Sequence, residues 1–207
     1  MSFNVKEMED IKNVSEAGYS ADYVITADEV VEAVTRLKSN KNDGGEGVST
    51  NHFKFACVEL AVHVSCLFSS ILVHGTIPDD LLKCTAIPIP KRKNANVTES
   101  SNYRGISLSS IFAKLFDSIV LTRYSEHLES CELQFGFKRK RSTAMCSMIM
   151  KETVSHYINN NSTVHCVFLD ATKAFDRVEY CKLFKLLEER DMPPDVIRVL
   201  LNLYTGH

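Results

Sequence analysis

Residues 167–180 read V-F-L-D-A-T-K-A-F-D-R-V-E-Y, an apolar run that ends on Asp170 and is followed six residues later by Asp176. The apolar residues at 164–169 predict a short buried strand. An aspartate at the carboxyl end of such a strand lies where open sheets present ligand-binding groups. It can bind a divalent metal ion, attack phosphorus as a nucleophile, or simply cap the turn. Asp170 is therefore a candidate catalytic carboxylate.

The chain must turn tightly between the two aspartates. The backbone N–H groups of residues 171–175 can then form a nest that faces an anion. Phe175 would place an aromatic ring beside that nest, although packing in a core is the commoner role of phenylalanine. Taken alone, Asp176 fits a cap for the helix that follows.

The remainder of the chain alternates helical patterns with loops. Thr26 and Glu29 form a capping box that predicts a helix over 27–38, and Gly75 ends a long helix predicted over 51–74. The prolines at 88 and 90 predict that 84–90 is an extended edge strand. Further helices are predicted over 106–128, 142–158, 178–190 and 194–204, with a polar lead-in at 1–25, a loop at 39–50 and a turn segment at 132–141.

Charge is distributed unevenly along the chain. The net charge is -2, yet residues 83–141 carry 11 Lys/Arg against 5 Asp/Glu. The basic runs at 91–93 and 138–141 can neutralise a phosphate backbone or a triphosphate, or can be solvated loop tips. Seven cysteines without a C-x-x-C pair predict reduced, buried thiols in an intracellular protein. The longest apolar stretch, 60–73, is too short to span a bilayer.

The stretch at 167–180 resembles the first catalytic palm motif in the reverse transcriptases of non-LTR retrotransposons, the LINE and Jockey-like group. Three further stretches resemble the same family in its order: A-I-P-I-P-K-R-K at 86–93, S-N-Y-R-G-I-S-L at 101–108 and Q-F-G-F-K-R-K-R-S-T at 134–143. The loop at 38–54 looks like a degraded form of the family's glycine-rich segment. The resemblance implies an α+β fold, with the helix-rich fingers and an incomplete palm of a right-hand polymerase.

The resemblance also implies roles for individual residues. Asp170 would be the first of the aspartates that bind two Mg²⁺ ions, with the Ala171 carbonyl as an additional ligand. Phe175 would pack under the sugar of the incoming dNTP and exclude a 2′-OH. Lys91 and Arg104 would hold the triphosphate, as a point charge and a planar fork respectively.

The implied partners are an RNA template and a DNA primer. The Gly136-Phe137 turn would lie near the template, and Asp176 would brace the turn after Asp170. The basic side chains that follow Phe137 would contact nucleic acid: Lys138, Arg139, Lys140 and Arg141.

The chain also departs from the family. Gly105 stands where the family usually has proline, and Glu46 where it usually has aspartate. The family's Tyr-x-Asp-Asp motif, which supplies the remaining carboxylates, does not occur in the sequence. We therefore expect a fingers-like region at 26–160 and a partial palm at 161–207 that does not polymerise alone.

Two alternatives compete with a polymerase fragment. A non-catalytic module for nucleic-acid binding or interaction, derived from such an enzyme, stays open. A phosphatase of the haloacid-dehalogenase type is disfavoured, because Thr172 stands where its second aspartate is expected. The edge of an incomplete palm sheet predicts self-association. The expected location is intracellular, with no choice between nucleus and cytoplasm.

Overall fold

A computed structural model of the chain describes residues 23–41, 47–92, 96 and 98–205. The first 22 residues of the predicted lead-in, and Glu46, lie outside the described residues. The chain divides into two compact units. One contains the residues up to His127 together with those from Tyr180 onward, and the other is Leu128–Glu179. The two units reflect packing contacts within the chain and do not by themselves define polymerase subdomains. The fingers at 26–160 and the partial palm at 161–207 therefore stay a prediction.

Most of the regular structure belongs to the first unit. In chain order its elements are α1 (Ala27–Arg36), α2 (Thr50–Lys54), α3 (Val58–His74), α4 (Asp79–Leu82), β1 (Cys84–Pro90), β2 (Tyr103–Ser109), α5 (Ile111–Arg123), α7 (Tyr180–Glu188) and α8 (Pro194–Thr205), with α6 (Thr143–Asn159) in the second unit. In the described part of the chain, β1 and β2 form one two-stranded antiparallel sheet. Helices with a small sheet confirm the predicted α+β class. No helix formed by the described residues is long and apolar enough to cross a membrane.

The core of the first unit lies where α1 packs on α3 and α5, and where α8 packs on α3 and α7. Phe68 of α3 is completely buried and meets Phe116 of α5 edge to face, with ring centroids 5.3 Å apart. Other buried side chains come from each of these helices: Val30, Val64, Leu72, Ile111, Leu115, Phe184, Val196 and Leu201. Burial of this apolar surface is the main stabilising term for the unit.

Gly75 ends α3, as the sequence predicts. Its φ of 68° lies in the left-handed region, and its N–H donates to the Ile71 carbonyl at 2.8 Å. A side chain here would collide with α8, because a Cβ on Gly75 would lie 2.5 Å from Nε of Arg198. The Gly75 carbonyl instead accepts a hydrogen bond from Nδ2 of Asn202 at 2.7 Å. Glycine therefore both ends the helix and permits close packing of α8.

Two predicted helices differ from the observed ones. The helix predicted over 51–74 is interrupted at 55–57, between α2 and α3. The helix predicted over 106–128 begins only at Ile111, because Ile106-Ser107-Leu108-Ser109 alternates apolar and polar residues with the period of a strand and pairs with β1. The hydroxyl of Ser110 accepts from the N–H of Ala113 at 3.1 Å and caps α5.

The prediction of buried thiols is wrong. All seven cysteines are unpaired, and all except the half-buried Cys181 are exposed. Several lie in helices that bury only part of their circumference; Cys66 occupies the open side of α3, for example, while Ser65 beside it is buried. The position of a cysteine within an apolar run therefore does not show that its thiol is buried.

An ion pair joins the start of α1 to the end of α5. The Arg123 guanidinium donates to both carboxylate oxygens of Glu29, Nε at 2.9 Å and Nη2 at 2.6 Å, and Nη2 also donates to the Val24 carbonyl. Partial burial raises the pKa of Glu29, but the hydrogen bond from the Thr26 N–H and the Arg123 guanidinium outweigh it, so the net pKa lies below its ordinary value. The same Thr26 contact completes the predicted capping box.

We expect Glu29→Gln to lower the free energy of unfolding at pH 7 by roughly 1–2 kcal/mol, because a charged hydrogen-bonded pair is removed. A lowered folded-state pKa means that the carboxylate stabilises the fold fully above the unfolded-state value near 4.5, and that this contribution disappears as the pH falls through the lower folded-state value. Urea unfolding at pH 7 and pH 3 measures both effects. Glu32→Gln is the control, since Glu32 is 61% exposed and its ion pair is with Arg36 on its own helix. Equal decreases for both variants would contradict the prediction.

Candidate functional site

The segment that leads to Asp170 is neither buried nor a strand, so this prediction is wrong. Residues 162–170 have no regular structure, and Val167, Phe168 and Leu169 are 83%, 77% and 95% exposed. A strand requires a neighbour whose backbone groups pair with its own. The sheet in the described part of the chain consists of β1 and β2, which pair with each other. Asp170 therefore lies exposed at the end of an unpaired segment, and the predicted palm edge for self-association is not formed there.

The backbone after Asp170 turns as predicted. Residues 172–174 form a turn that leads into a short 3-10 helix, Phe175–Arg177. Lys173 has a φ of 52°, and Ala174 follows with φ -52° and ψ -44°. Successive residues of opposite handedness direct their N–H groups toward one side, which is the geometry of an anion-binding nest. Anion binding itself stays a prediction.

Two predicted site residues from separate motifs meet in the second unit. The rings of Phe137 and Phe175 lie edge to face, with centroids 6.0 Å apart and an interplanar angle of 86°. Both are largely exposed, at 95% and 75%. Phe137 has a φ of 57° in the turn after Gly136, whose carbonyl accepts from Nε2 of Gln134 at 3.0 Å. No periodicity could predict this contact, because 38 residues separate the two rings in sequence.

The four basic residues after Phe137 differ in their surroundings. The Lys138 ammonium donates to the carbonyls of Ser130 and Cys131, at 3.0 and 3.3 Å. The Arg141 guanidinium lies over the ring of Phe135, 5.4 Å from its centroid. Arg139 and Lys140 are exposed. Within this run, Arg139 and Lys140 are the cations best placed to meet an anionic partner.

The hairpin β1–β2 places Lys91 and Arg104 on one face. The register pairs Ile89 with Arg104, and the Lys91 N–H continues it by donating to the Asn102 carbonyl at 2.8 Å. Lys91 lies two residues after Ile89, so the two side chains are on the same face of the hairpin. Because Ile89 is opposite Arg104, Lys91 and Arg104 are diagonal neighbours on that face. The Lys91 ammonium donates to the Ser101 carbonyl at 2.6 Å, and Arg104 is exposed. Two cations on one face of a hairpin can contact one polyanion together.

The metal-binding potential of the second unit is limited. The Asp170 carboxylate and the Ala171 carbonyl are the oxygen donors that Mg²⁺ prefers. Over the described ranges, however, no three His, Cys, Asp or Glu side chains cluster in a way that could hold a metal ion. Asp176 lies exposed in the 3-10 helix that follows the turn. The described donors do not fit a complete two-metal centre, because such a centre needs further carboxylates.

The fold and these residues agree with one class of protein. Residues 89–207 match the reverse transcriptase (RNA-dependent DNA polymerase) family. Because the match covers more than half of the chain, the protein belongs to this family, and its relatives place it in the non-LTR, LINE and Jockey-like branch.

Individual relatives come from insect mobile elements. The chain is 31% identical over 153 residues to the 115 kDa protein in type-1 retrotransposable element R1DM of Drosophila melanogaster, covering 73% of the chain and 15% of the relative. It is 25% identical over 158 residues to the RNA-directed DNA polymerase from mobile element jockey of Drosophila funebris, covering 74% and 17%. It is 27% identical over 115 residues to the Pol polyprotein from type-1 retrotransposable element R2 of Popillia japonica, covering 56% and 16%. The chain thus spans about a sixth of the length of these relatives.

Proposed function

We propose that the chain forms the fingers and part of the palm of a non-LTR retrotransposon reverse transcriptase, an enzyme that synthesises DNA from dNTPs on an RNA template. The observation that carries this proposal is the family match over 89–207, a range that includes Lys91, Arg104 and Asp170. In this assignment residues 26–160 are fingers and 161–207 are partial palm. Seven unpaired cysteines agree with an intracellular location.

Lys91 and Arg104 are proposed to hold the triphosphate of the incoming dNTP. The hairpin supports this role, since it places both side chains on one face. The Lys91 ammonium would exchange the Ser101 carbonyl for a phosphate oxygen, gaining a charge-assisted hydrogen bond in place of a neutral acceptor. Arg104 would add a bidentate contact, which fits its planar fork.

Asp170 is proposed to be one carboxylate ligand of Mg²⁺, with the Ala171 carbonyl beside it. Such ions neutralise the charge of a transferring phosphoryl group. The Tyr-x-Asp-Asp motif that supplies the remaining carboxylates in the family does not occur in this sequence, so the chain alone is not expected to polymerise. Phe175 is proposed to contact the sugar of the dNTP, with its ring oriented by the edge-to-face contact with Phe137.

The test is primer extension on an RNA template by the proposed polymerase. We expect Arg104→Gln to raise the KM for dNTP by about ten- to a hundredfold, because a charged bidentate contact is worth roughly 1.5–3 kcal/mol. Arg92→Gln is the matched control, because Arg92 is exposed and adjacent to Lys91 in sequence. Its position is offset by one residue from the face that Lys91 and Arg104 share, so its replacement should change the KM for dNTP far less. Equal effects of the two variants would remove Arg104 from the triphosphate site.

A second candidate function is nucleic-acid binding without catalysis. The exposure of Arg139 and Lys140, which follow a turn with positive φ at Phe137, favours it. Salt-dependent affinity without nucleotide incorporation by any form of the protein would support this function over polymerisation.

We expect the double variant Arg139→Gln/Lys140→Gln to weaken binding of single-stranded RNA and to flatten the dependence of log K on log[salt] by roughly 1.4, about 0.7 for each phosphate that the protein no longer neutralises. Lys138→Gln should leave that slope unchanged, because the Lys138 ammonium is bound by the Ser130 and Cys131 carbonyls. Fluorescence anisotropy at several salt concentrations measures the slopes. The same slope for the double variant and the wild type would exclude these two residues from the interface.

A further inference from the structure

The two strands of the hairpin alternate between hydrogen-bonded and non-hydrogen-bonded pairs. The Lys91 N–H donates to the Asn102 carbonyl directly opposite, which makes this a hydrogen-bonded pair. Counting back along the register, Ile89 with Arg104 and Ile87 with Ile106 are hydrogen-bonded pairs as well. The intervening positions direct their backbone groups away from the partner strand.

The outer edge of β1 is blocked against a further strand. Its outward positions include Pro88 and Pro90, which pair with Gly105 and Tyr103 at non-hydrogen-bonded sites. Proline has no N–H, so these two positions have no donor to offer a third strand. Prolines on an edge are a common means by which proteins prevent strand addition.

The outer edge of β2 has no such protection. Gly105 and Ser107 occupy outward positions and both carry an N–H. In the part of the chain that the structure describes, the sheet ends at β2. Gly105 and Ser107 are both exposed, as expected for an edge that no described element covers.

The side chains of β2 are compatible with a copy of the same strand. The residues of β2 are Y-R-G-I-S-L-S, with Arg104 as the one charge. Ile87, Ile89 and Ile106 lie on one face of the hairpin and are 40%, 44% and 43% exposed. Lys91 and Arg104 lie on the same face, so a second hairpin beside β2 would extend a mixed apolar and basic face into a four-stranded sheet.

We propose that β2 is a self-association edge, at which β2 of a second copy of this chain adds antiparallel to β2. In the register with full overlap of the seven residues, Ile106 faces Ile106 of the second copy, and Gly105 faces Ser107 of the second copy in a hydrogen-bonded pair. Arg104 faces Leu108 of the second copy, so the two Arg104 positions are four residues apart, about 14 Å along the strands. This exceeds the Debye length of about 8 Å at physiological salt, so the like charges add little repulsion. The strand is thus complementary to itself in hydrogen bonding, its one charge adds little repulsion, and the pairing does not depend on polymerase activity.

Sedimentation velocity of the 207-residue chain over a concentration series tests the proposal. The wild type is expected to show a monomer–dimer equilibrium. Gly105→Pro removes the outward donor from each copy and should raise the dimer Kd by about ten- to a hundredfold, as expected for the removal of two backbone hydrogen bonds. Gly105→Ala keeps the N–H and should associate like the wild type. A monomeric wild type, or a Pro variant that dimerises as tightly as the Ala variant, overturns the proposal.

A second pair of variants tests self-association through β2 if Gly105→Pro perturbs the hairpin. Ile106 and Ile87 are direct cross-strand partners with nearly equal exposure, but only Ile106 lies on the strand at the proposed edge. Ile106→Lys would place two ammonium groups opposite each other at the closely spaced type of pair and should dissociate the dimer. Ile87→Lys should leave it intact. Equal dissociation by both variants would overturn the proposal and direct attention to another surface, such as the exposed residues 167–169.

Discussion

Replacing Asp170 by Asn is expected to lower DNA synthesis by two to three orders of magnitude or more in the polymerase that contains this chain. The substitution keeps the size and one oxygen of the side chain but removes the negative charge that a divalent ion requires. Asp170 is exposed at the end of an unpaired segment, so its replacement should not unfold the chain. The decrease is therefore expected in kcat and in the dependence on metal concentration.

Primer extension across a series of Mg²⁺ concentrations measures this effect. Glu152→Gln is the control, because Glu152 is an exposed carboxylate on α6 in the same unit and has no place in the proposed site. Thermal melts of both variants should coincide with that of the wild type. If Asp170→Asn extends primers at a rate close to that of Glu152→Gln, Asp170 does not bind a metal ion in catalysis.

Replacing Phe68 by Ala should cost roughly 3–5 kcal/mol in the free energy of unfolding. Phe68 is 0% exposed and has an edge-to-face contact with Phe116, so truncation leaves a cavity and removes an aromatic pair. Domains are stable by only about 5–15 kcal/mol in total, so this single change removes a large share. Phe68→Leu keeps most of the volume and should cost much less.

Urea unfolding followed by circular dichroism in the far ultraviolet measures these differences. Phe55→Ala is the matched control, because Phe55 is 85% exposed and its truncation should change stability by no more than about 0.5 kcal/mol. If the Ala variant of Phe68 does not fold, the Phe68→Leu variant still gives a transition that can be compared with that of Phe55→Ala. Similar stabilities for Phe68→Ala and Phe55→Ala would show that α3 and α5 do not form the core.

Local sequence signals predicted several elements correctly. The capping box at Thr26 and Glu29, the stop at Gly75 and the strand containing Pro88 each depend on hydrogen bonds or dihedral preferences of a few adjacent residues. The four motifs also identified the family, which the match over 89–207 confirms. These elements can be predicted from short stretches of sequence because the interactions that form them lie within those stretches.

Interactions between residues distant in sequence decided which of the other segments became strands and which strand edge is open. Residues 106–109 became a strand because β1 lies opposite, whereas 164–169, although it is more apolar, has no strand beside it in the described structure. The blocked outer edge of β1 and the open outer edge of β2 also exist only in the paired hairpin, because pairing decides which backbone N–H groups point outward.

The sequence by itself thus determined the family, the helix start at Thr26, the helix stop at Gly75 and the identity of the candidate residues, because each is encoded within a short stretch of chain. The tertiary structure alone decided that Lys91 and Arg104 share a face, that Phe137 meets Phe175, and that the thiols are exposed. The physical reason is that strand pairing, ring contact and burial are each defined by a second segment, whose position the local pattern does not specify.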